Sequence, residues 1–194
     1  MQRRDLLKGF AAAASTSLLA PIGLLGKPQQ AFALGGTLPE LGAPAPEFRL
    51  SGVKPEGGKA VEATLSLEDF AGQWLVLYFY PKDFTGGCTL EARGFQKDLA
   101  AFQAANAAVV GVSADDPDSH ASFCSEEGLA FPLLSDPGGT VSRSYGSWIP
   151  PFSQRHTFLI DPAGVLRQRW VAVRPTGHSA EVLAALELQQ GLIA

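Results

Sequence analysis

The stretch Trp74-Leu-Val-Leu-Tyr-Phe-Tyr-Pro-Lys-Asp-Phe-Thr-Gly-Gly-Cys88 decides how the rest of the chain is read. Its first seven residues, Trp74 to Tyr80, form an unbroken apolar run of the kind that a parallel strand buried on both faces requires. A turn with one proline and two glycines follows. The periodicity then changes, and Cys88, Ala92, Phe95, Leu99 and Phe102 share one face of a helix. Strand, short turn and helix together put Cys88 in the first helical turn. The unpaired N–H groups and the positive dipole end stabilise an anion at such a place, which is the usual setting of a reactive thiolate.

Outward from this unit, Glu47–Leu50 and Val61–Leu67 read as two strands joined by a loose polar loop, Ser51–Ala60. Ala108–Ser113 is a second continuous apolar strand, and Asp116-Pro117 opens a helix that ends at Gly128, with Asp as N-cap and Pro at the first helical position. Phe131–Leu134 is a short strand, and Thr140–Tyr145 a brief helix. His156–Asp161 and Val165–Val173 flank the turn Pro162-Ala163-Gly164 and so pair antiparallel. A helix over Ser179–Gln190 closes the chain. Alternating β and α elements imply a parallel centre covered on both faces, with the late hairpin adding antiparallel strands. This is the outline of a thioredoxin-like α/β fold: a central mixed sheet, helices on both faces and an N-terminal β-hairpin extension. A flavodoxin-like fold competes but gives no reason for the terminal hairpin. The helices carrying residues 88 and 124 follow successive strands, and consecutive helices of a doubly wound sheet can lie on opposite faces.

The 194 residues are 46% hydrophobic and 18% charged, enough for one globular domain with a real core. Residues 1–33 stand apart from that domain, which spans 34–194. Arg3-Arg4-Asp5-Leu6-Leu7-Lys8 reads as a twin-arginine export signature, followed by the uncharged Gly9–Gly26, Lys27, and Ala31-Phe32-Ala33 as a small-residue cleavage site. An uncleaved anchor is the alternative, since 18 uncharged residues sit at the lower edge of a spanning helix. The internal Pro21 and Gly23 favour cleavage. Loss of residues 1–33 removes four basic groups and one acid, taking the net charge from −4 to −7. That balance repels nucleic acid and anionic lipid, and predicts neither as a partner. The expected compartments are a bacterial periplasm or a thylakoid lumen.

Two cysteines, Cys88 and Cys124, lie in the exported part, and in an oxidising compartment such a pair usually means one disulfide. His120, His156 and His178 are scattered without ligand spacing, so no metal and no cofactor are expected. Each reads as an ordinary surface or half-buried histidine.

The residues also carry a resemblance. Pro81-x-x-x-Thr85-x-x-Cys88 is similar to the active-site motif of peroxiredoxins, and Tyr78 to Glu91 resembles the peroxiredoxin Q, or bacterioferritin comigratory protein, group. Arg155-His-Thr-Phe-Leu-Ile-Asp161 resembles the strand that supplies that family's active-site arginine. The likeness covers roughly residues 37–190. It implies that Cys88 is the peroxidatic thiolate, that Thr85 orients the peroxide, that Pro81 shields the pocket, and that Arg155 holds both thiolate and departing oxygen. Backbone N–H groups of Gly87 and Cys88 complete an anion cradle. Many members of the group place a resolving cysteine five residues after the first, but here that residue is Arg93. The resemblance leaves Cys124, where a subset of the family has its resolving thiol, to form an intramolecular disulfide that a thioredoxin-like donor reduces.

The implied activity is a thiol-specific peroxidase acting on hydrogen peroxide and organic hydroperoxides in antioxidant defence, with a monomer favoured and no stable membrane contact after cleavage. Two other readings stay open. A thioredoxin-type disulfide oxidoreductase would share the fold, although Cys-x-x-Cys is absent. A non-catalytic module with a structural disulfide would leave Thr85, Cys88 and Arg155 as coincidence. Trp148-Ile-Pro-Pro-Phe152 reads as a rigid structural loop, with walling of the peroxide site as the second possibility. Glu91 reads as an acid in the first helical turn, suited to the dipole, with a hydrogen-bonding role near the site as the second possibility, and Asp115 and Asp116 are turn and cap residues.

Overall fold

A computed structural model describes residues 32–193. In chain order its elements are β1 (Phe32–Ala33), β2 (Gly36–Thr37), β3 (Arg49–Glu56), β4 (Lys59–Ser66), a single 3-10 turn at Leu67–Phe70, β5 (Trp74–Phe79), α1 (Gly86–Ala104), β6 (Ala107–Ser113), α2 (Pro117–Glu127), β7 (Leu133–Ser135), α3 (Thr140–Ser144), β8 (Trp148–Ile149), β9 (Phe152–Ser153), β10 (His156–Ile160), β11 (Leu166–Trp170) and α4 (His178–Ile193). Seven strands form the main sheet in the order β11-β10-β5-β6-β7-β3-β4. Only β5, β6 and β7 run parallel; β10 lies antiparallel to β5, and β3 antiparallel to β7.

The apolar run at Trp74 becomes β5 because both faces of this strand are covered. Trp74, Val76 and Tyr78 enter one core layer, and Leu75, Leu77 and Phe79 the other. The first layer holds α1, α2 and α4, through Phe95, Leu99, Phe102, Phe123, Val182 and Leu186. The opposite layer holds Leu38, Phe48, Phe70, Val141 and Tyr145, from the N-terminal segment, the 3-10 turn and α3. The helices of Cys88 and Cys124 are therefore on the same face of the sheet, not on the opposite faces that successive helices of a doubly wound sheet can take. The reason is topological. β5, β6 and β7 advance in one direction across the sheet, and two right-handed crossovers taken in one direction deposit both helices on one side.

A second correction concerns the N-terminal hairpin. The polar segment Ser51–Glu56 is strand, not loop, and β3 and β4 pair along their full length from Arg49↔Ser66 to Glu56↔Lys59. The connection shrinks to Gly57-Gly58 with φ of 58° and 79°, the left-handed pair that a tight two-residue hairpin requires. Charges such as Lys54 and Glu56, 3.4 Å apart, suit this outer hairpin, where one side of each strand meets water.

Local signals at α2 act as read. Asp116 accepts from the Ser119 amide at 2.8 Å, Pro117 begins the helix, and Gly128 ends it with φ of 64°. Residues 1–31, and with them most of the export segment, lie outside the described residues. The expected cleavage point after Ala33 falls in the small β1–β2 hairpin, where Phe32 pairs Thr37 and Ala33 pairs Gly36. Among the described residues no helix is long and apolar enough to cross a membrane.

Candidate active site

The turn between β5 and α1 aims the thiol. Phe84 adopts φ of 58°, a conformation that costs a bulky residue on the order of 1–2 kcal/mol. Its ring is held edge-on against Phe123 of α2 at 5.1 Å between centroids. Thr85 then serves as N-cap by its backbone, its carbonyl accepting from the Thr89 amide at 2.9 Å. Cys88 is consequently the third helical residue and 1% exposed.

Arg155, the residue immediately before β10, reaches across to it. Its Nη2 donates to Cys88 Sγ at 3.3 Å, and its Nη1 to Glu91 Oε2 at 2.5 Å. Residues 88, 91 and 155 thus form one buried constellation from two distant chain segments. Burial works against the guanidinium charge, but Glu91 and Cys88 outweigh it and raise the Arg155 pKa. Burial also pushes the Glu91 carboxyl up from 4.5 to about 7, against the lowering effect of Arg155. Its second oxygen, Oε1, is buried without a partner. Gly87 leaves room for this approach, since a Cβ there would lie 3.1 Å from Arg155 Nη2 and press the guanidinium back by a few tenths of an ångström.

The other expected site residues are placed less directly. Thr85 is exposed, and its hydroxyl donates to the Lys82 carbonyl at 3.0 Å. Pro81 is half-buried at the start of the turn. Cys124 is buried on α2, and both cysteines are free thiols. Burial, and then the Asp83 charge, push the Cys124 thiol up to about 12. The phenol of Tyr78 is fully buried with no partner. Burial first, then Glu91, Cys124, Asp83 and Cys88, raise its pKa well above the ordinary value.

Glu91, the sixth residue of α1 and so beyond its first turn, takes the hydrogen-bonding role that stood as its second possibility, for it anchors Arg155. Two features were not foreseen in the sequence. The three histidines are all buried, at 0%, 2% and 2% exposure for His120, His156 and His178; the reading of them as surface or half-buried residues is corrected. Two have partners far along the chain: His120 Nδ1 lies 2.9 Å from Asp83 Oδ2, and His178 Nε2 2.8 Å from Thr157 Oγ1. Asp115 ties the active turn to β6, accepting from the Asp83 amide and the Ser113 hydroxyl. The Trp148–Phe152 segment is a small hairpin whose Trp148 ring covers Gly139, where any Cβ would come within 2.1 Å of the indole. Among the described residues no cluster of three or more His, Cys, Asp or Glu could hold a metal ion.

The AhpC/TSA family pattern matches residues 41–169. The chain belongs to the AhpC/TSA family. Within that family it is 43% identical over 131 residues to the peroxiredoxin Bcp of Xanthomonas campestris, covering 63% of this chain and 81% of the relative. It is 39% identical over 128 residues to the chloroplastic peroxiredoxin Q of Populus jackii, covering 64% of this chain and 60% of the relative. The solved Xanthomonas campestris peroxiredoxin Q superposes with a TM-score of 0.64 at 37% identity, over 72% of this chain and 89% of that one. A structure of the Xanthomonas campestris bacterioferritin comigratory protein, described for its alkyl peroxide reduction activity, gives 0.62 at 37% identity, over 72% and 90%. The AhpC/TSA segment thus contains every element that builds the Cys88–Arg155 contact.

Proposed function

We propose that this thiol peroxidase works through Cys88, an assignment supported above all by the Arg155 guanidinium 3.3 Å from its sulfur. The Cys88 thiolate attacks the nearer peroxide oxygen; an S–O bond forms, the O–O bond breaks, and water or an alcohol leaves after taking a proton. Cys88 becomes a sulfenic acid. Arg155 donates charge-assisted hydrogen bonds to the sulfur and to the oxygen on which charge develops. Glu91 is a positioning residue, acting through Arg155. The Thr85 hydroxyl donates to the Lys82 carbonyl, which leaves its oxygen to accept, and a peroxide O–H that donates to that oxygen is oriented by it. Pro81 shields the pocket, and the Gly87 and Cys88 amides lie in the helix's unpaired first turn.

Cys124 then attacks the Cys88 sulfur, water leaves, and a disulfide forms that a thioredoxin-type reductant reopens. The two cysteines sit in different helices and both are buried, so bridging opens one or both cysteine turns. Hydrogen peroxide and organic hydroperoxides are the substrates; the alkyl peroxide reduction described for the Xanthomonas relative supports the second class. The protein acts as a monomer. Residues 1–33 direct twin-arginine export and are removed, leaving the enzyme without stable membrane contact in a periplasm or thylakoid lumen.

Peroxide consumption with a thioredoxin system tests the chemistry. Cys88→Ser is expected to lose all activity, and Cys124→Ser to stop at the sulfenic acid. Activity surviving in Cys88→Ser overturns the assignment. Fractionation with N-terminal sequencing tests the export reading, which a cytoplasmic chain starting at Met1 would refute.

A further inference from the structure

The peptide unit between Lys82 and Asp83 lies in the middle of the active turn and is gripped at both ends. Its carbonyl accepts from the Thr85 hydroxyl at 3.0 Å, and its N–H donates to Asp115 Oδ2 at 2.9 Å. Asp115 is half-buried just after β6 and is itself fixed. The same Oδ2 accepts from the Ser113 hydroxyl at 2.7 Å, and the Asp115 amide donates back to that hydroxyl at 3.0 Å. Ser113, the last residue of β6, is fully buried. One line of hydrogen bonds therefore runs from β6 through Asp115 and a single peptide plane to the Thr85 oxygen.

A planar peptide aims its N–H and C=O to opposite sides, so turning one turns the other. The Asp83 flank is held by its own side chain, whose carboxylate accepts from the Tyr80 and Ser119 hydroxyls and meets His120 Nδ1. On the other flank the Tyr80 amide donates to the Val112 carbonyl at 3.0 Å and keeps the chain against β6. With both flanks anchored, the soft motion that remains is rotation of the 82–83 plane about its own axis. The Asp115 carboxylate opposes that rotation.

We propose that Asp115 is a positioning residue for peroxide, acting through the 82–83 peptide to fix the direction of the hydrogen bond at Thr85. The inference rests on the orienting role given to Thr85 above. A hydroxyl has one proton and two lone pairs. While the Lys82 carbonyl holds the proton, Thr85 Oγ1 has only lone pairs left for a peroxide, and the peroxide O–H donates to them. If the plane turns, the carbonyl leaves, the Thr85 proton is freed, and one donor faces another. An ionised acceptor on the N–H also polarises the peptide, which makes its carbonyl a stronger acceptor for Thr85. Asp115 makes and breaks no covalent bond. It acts in the folded, reduced protein, before either cysteine turn opens.

The test compares two reactions of the reduced protein at pH 7, each read at Cys88 by peptide mass after quenching. One is oxidation by hydrogen peroxide; the other is reaction with methyl methanethiosulfonate, which has no O–H or N–H to give to Thr85. Asp115→Ala is expected to slow the peroxide reaction about tenfold, the scale of one misdirected hydrogen bond, and to leave the thiosulfonate reaction within about twofold. Asp115→Asn, which keeps an acceptor oxygen, should stay within about threefold of wild type for peroxide. Thr85→Val should lose as much as Asp115→Ala, and combining the two should lose nothing further. Independent losses in the double variant, an Asn variant as slow as the Ala variant, or equal slowing of both reagents overturns the proposal and leaves Asp115 as a brace for the turn. Should Asp115→Ala not fold, Ser113→Ala, which frees the carboxylate from β6, takes its place in the cycle. A wild-type peroxide rate there, or a loss that persists over Thr85→Val, overturns the proposal equally. A wild-type peroxide rate in Thr85→Val refutes the orienting role of Thr85 itself and this inference with it.

Discussion

Glu91→Gln isolates the electrostatics of the site. Glu91 is 1% exposed, with one oxygen on Arg155 Nη1 and the other without a partner. Burial raises its pKa from 4.5 to about 7 in the folded protein, even though Arg155 pulls the other way. Between those two values the folded protein holds a proton that the unfolded chain has released, so stability falls as pH rises through that window. At about 1.4 kcal/mol per pH unit, the loss across it is on the order of 3 kcal/mol. Gln keeps the shape and a carbonyl acceptor for Arg155 but does not titrate. Urea unfolding of the reduced wild type and variant at pH 5, 6, 7 and 8 measures the difference. The wild type should lose about 3 kcal/mol relative to Glu91→Gln over this range, most of it below pH 7. A gap that stays constant with pH would refute a buried carboxyl of raised pKa, and with it the account of how Arg155 is held.

Other outcomes follow from the same contacts. An ordinary thiol is about 3% thiolate at pH 7, so complete ionisation accounts for at most about 30-fold in rate. Stopped-flow oxidation of Arg155→Ala should be slowed by more than about 100-fold, the excess reflecting lost stabilisation of the breaking O–O bond; a loss within 30-fold would reduce the arginine to an ionising role. Gly87→Ala, whose methyl would sit 3.1 Å from Arg155 Nη2, should slow peroxide reduction by about tenfold or more, while Gly86→Ala, which faces open space, should leave it unchanged. Equal effects at the two glycines would contradict this placement of Arg155. A methyl at Gly111 would come within 2.8 Å of the Tyr78 phenol and 2.7 Å of Leu133. Gly111→Ala should therefore lower stability by about 1–3 kcal/mol in denaturant melts.

Much of this protein is written in short-range signals. The run Trp74–Tyr80 determines a doubly covered strand, the spacing of Ala92, Phe95, Leu99 and Phe102 determines α1, and Asp116, Pro117 and Gly128 set the limits of α2. Placement of Cys88 in a first helical turn needs nothing beyond these. Each depends on residues only a few positions apart, where periodicity, capping and turn chemistry act. The extent of β3 was harder to see, because a hairpin at the edge of the sheet mixes Ser, Lys and Glu into its strands and blurs the alternation.

Only the tertiary structure decided which side chains meet. Glu91 and Arg155 are 64 positions apart, and Asp83 and His120 37 apart, so nothing local pairs them or marks the histidines as buried. The strand order brings β10 beside β5, which carries Arg155 to the mouth of α1. The same order, through two crossovers of one hand, sets α1 and α2 side by side and brings both thiols into one core layer. Contacts of this kind are selected by sheet topology, a property of the whole chain, whereas helices and turns answer to their nearest neighbours.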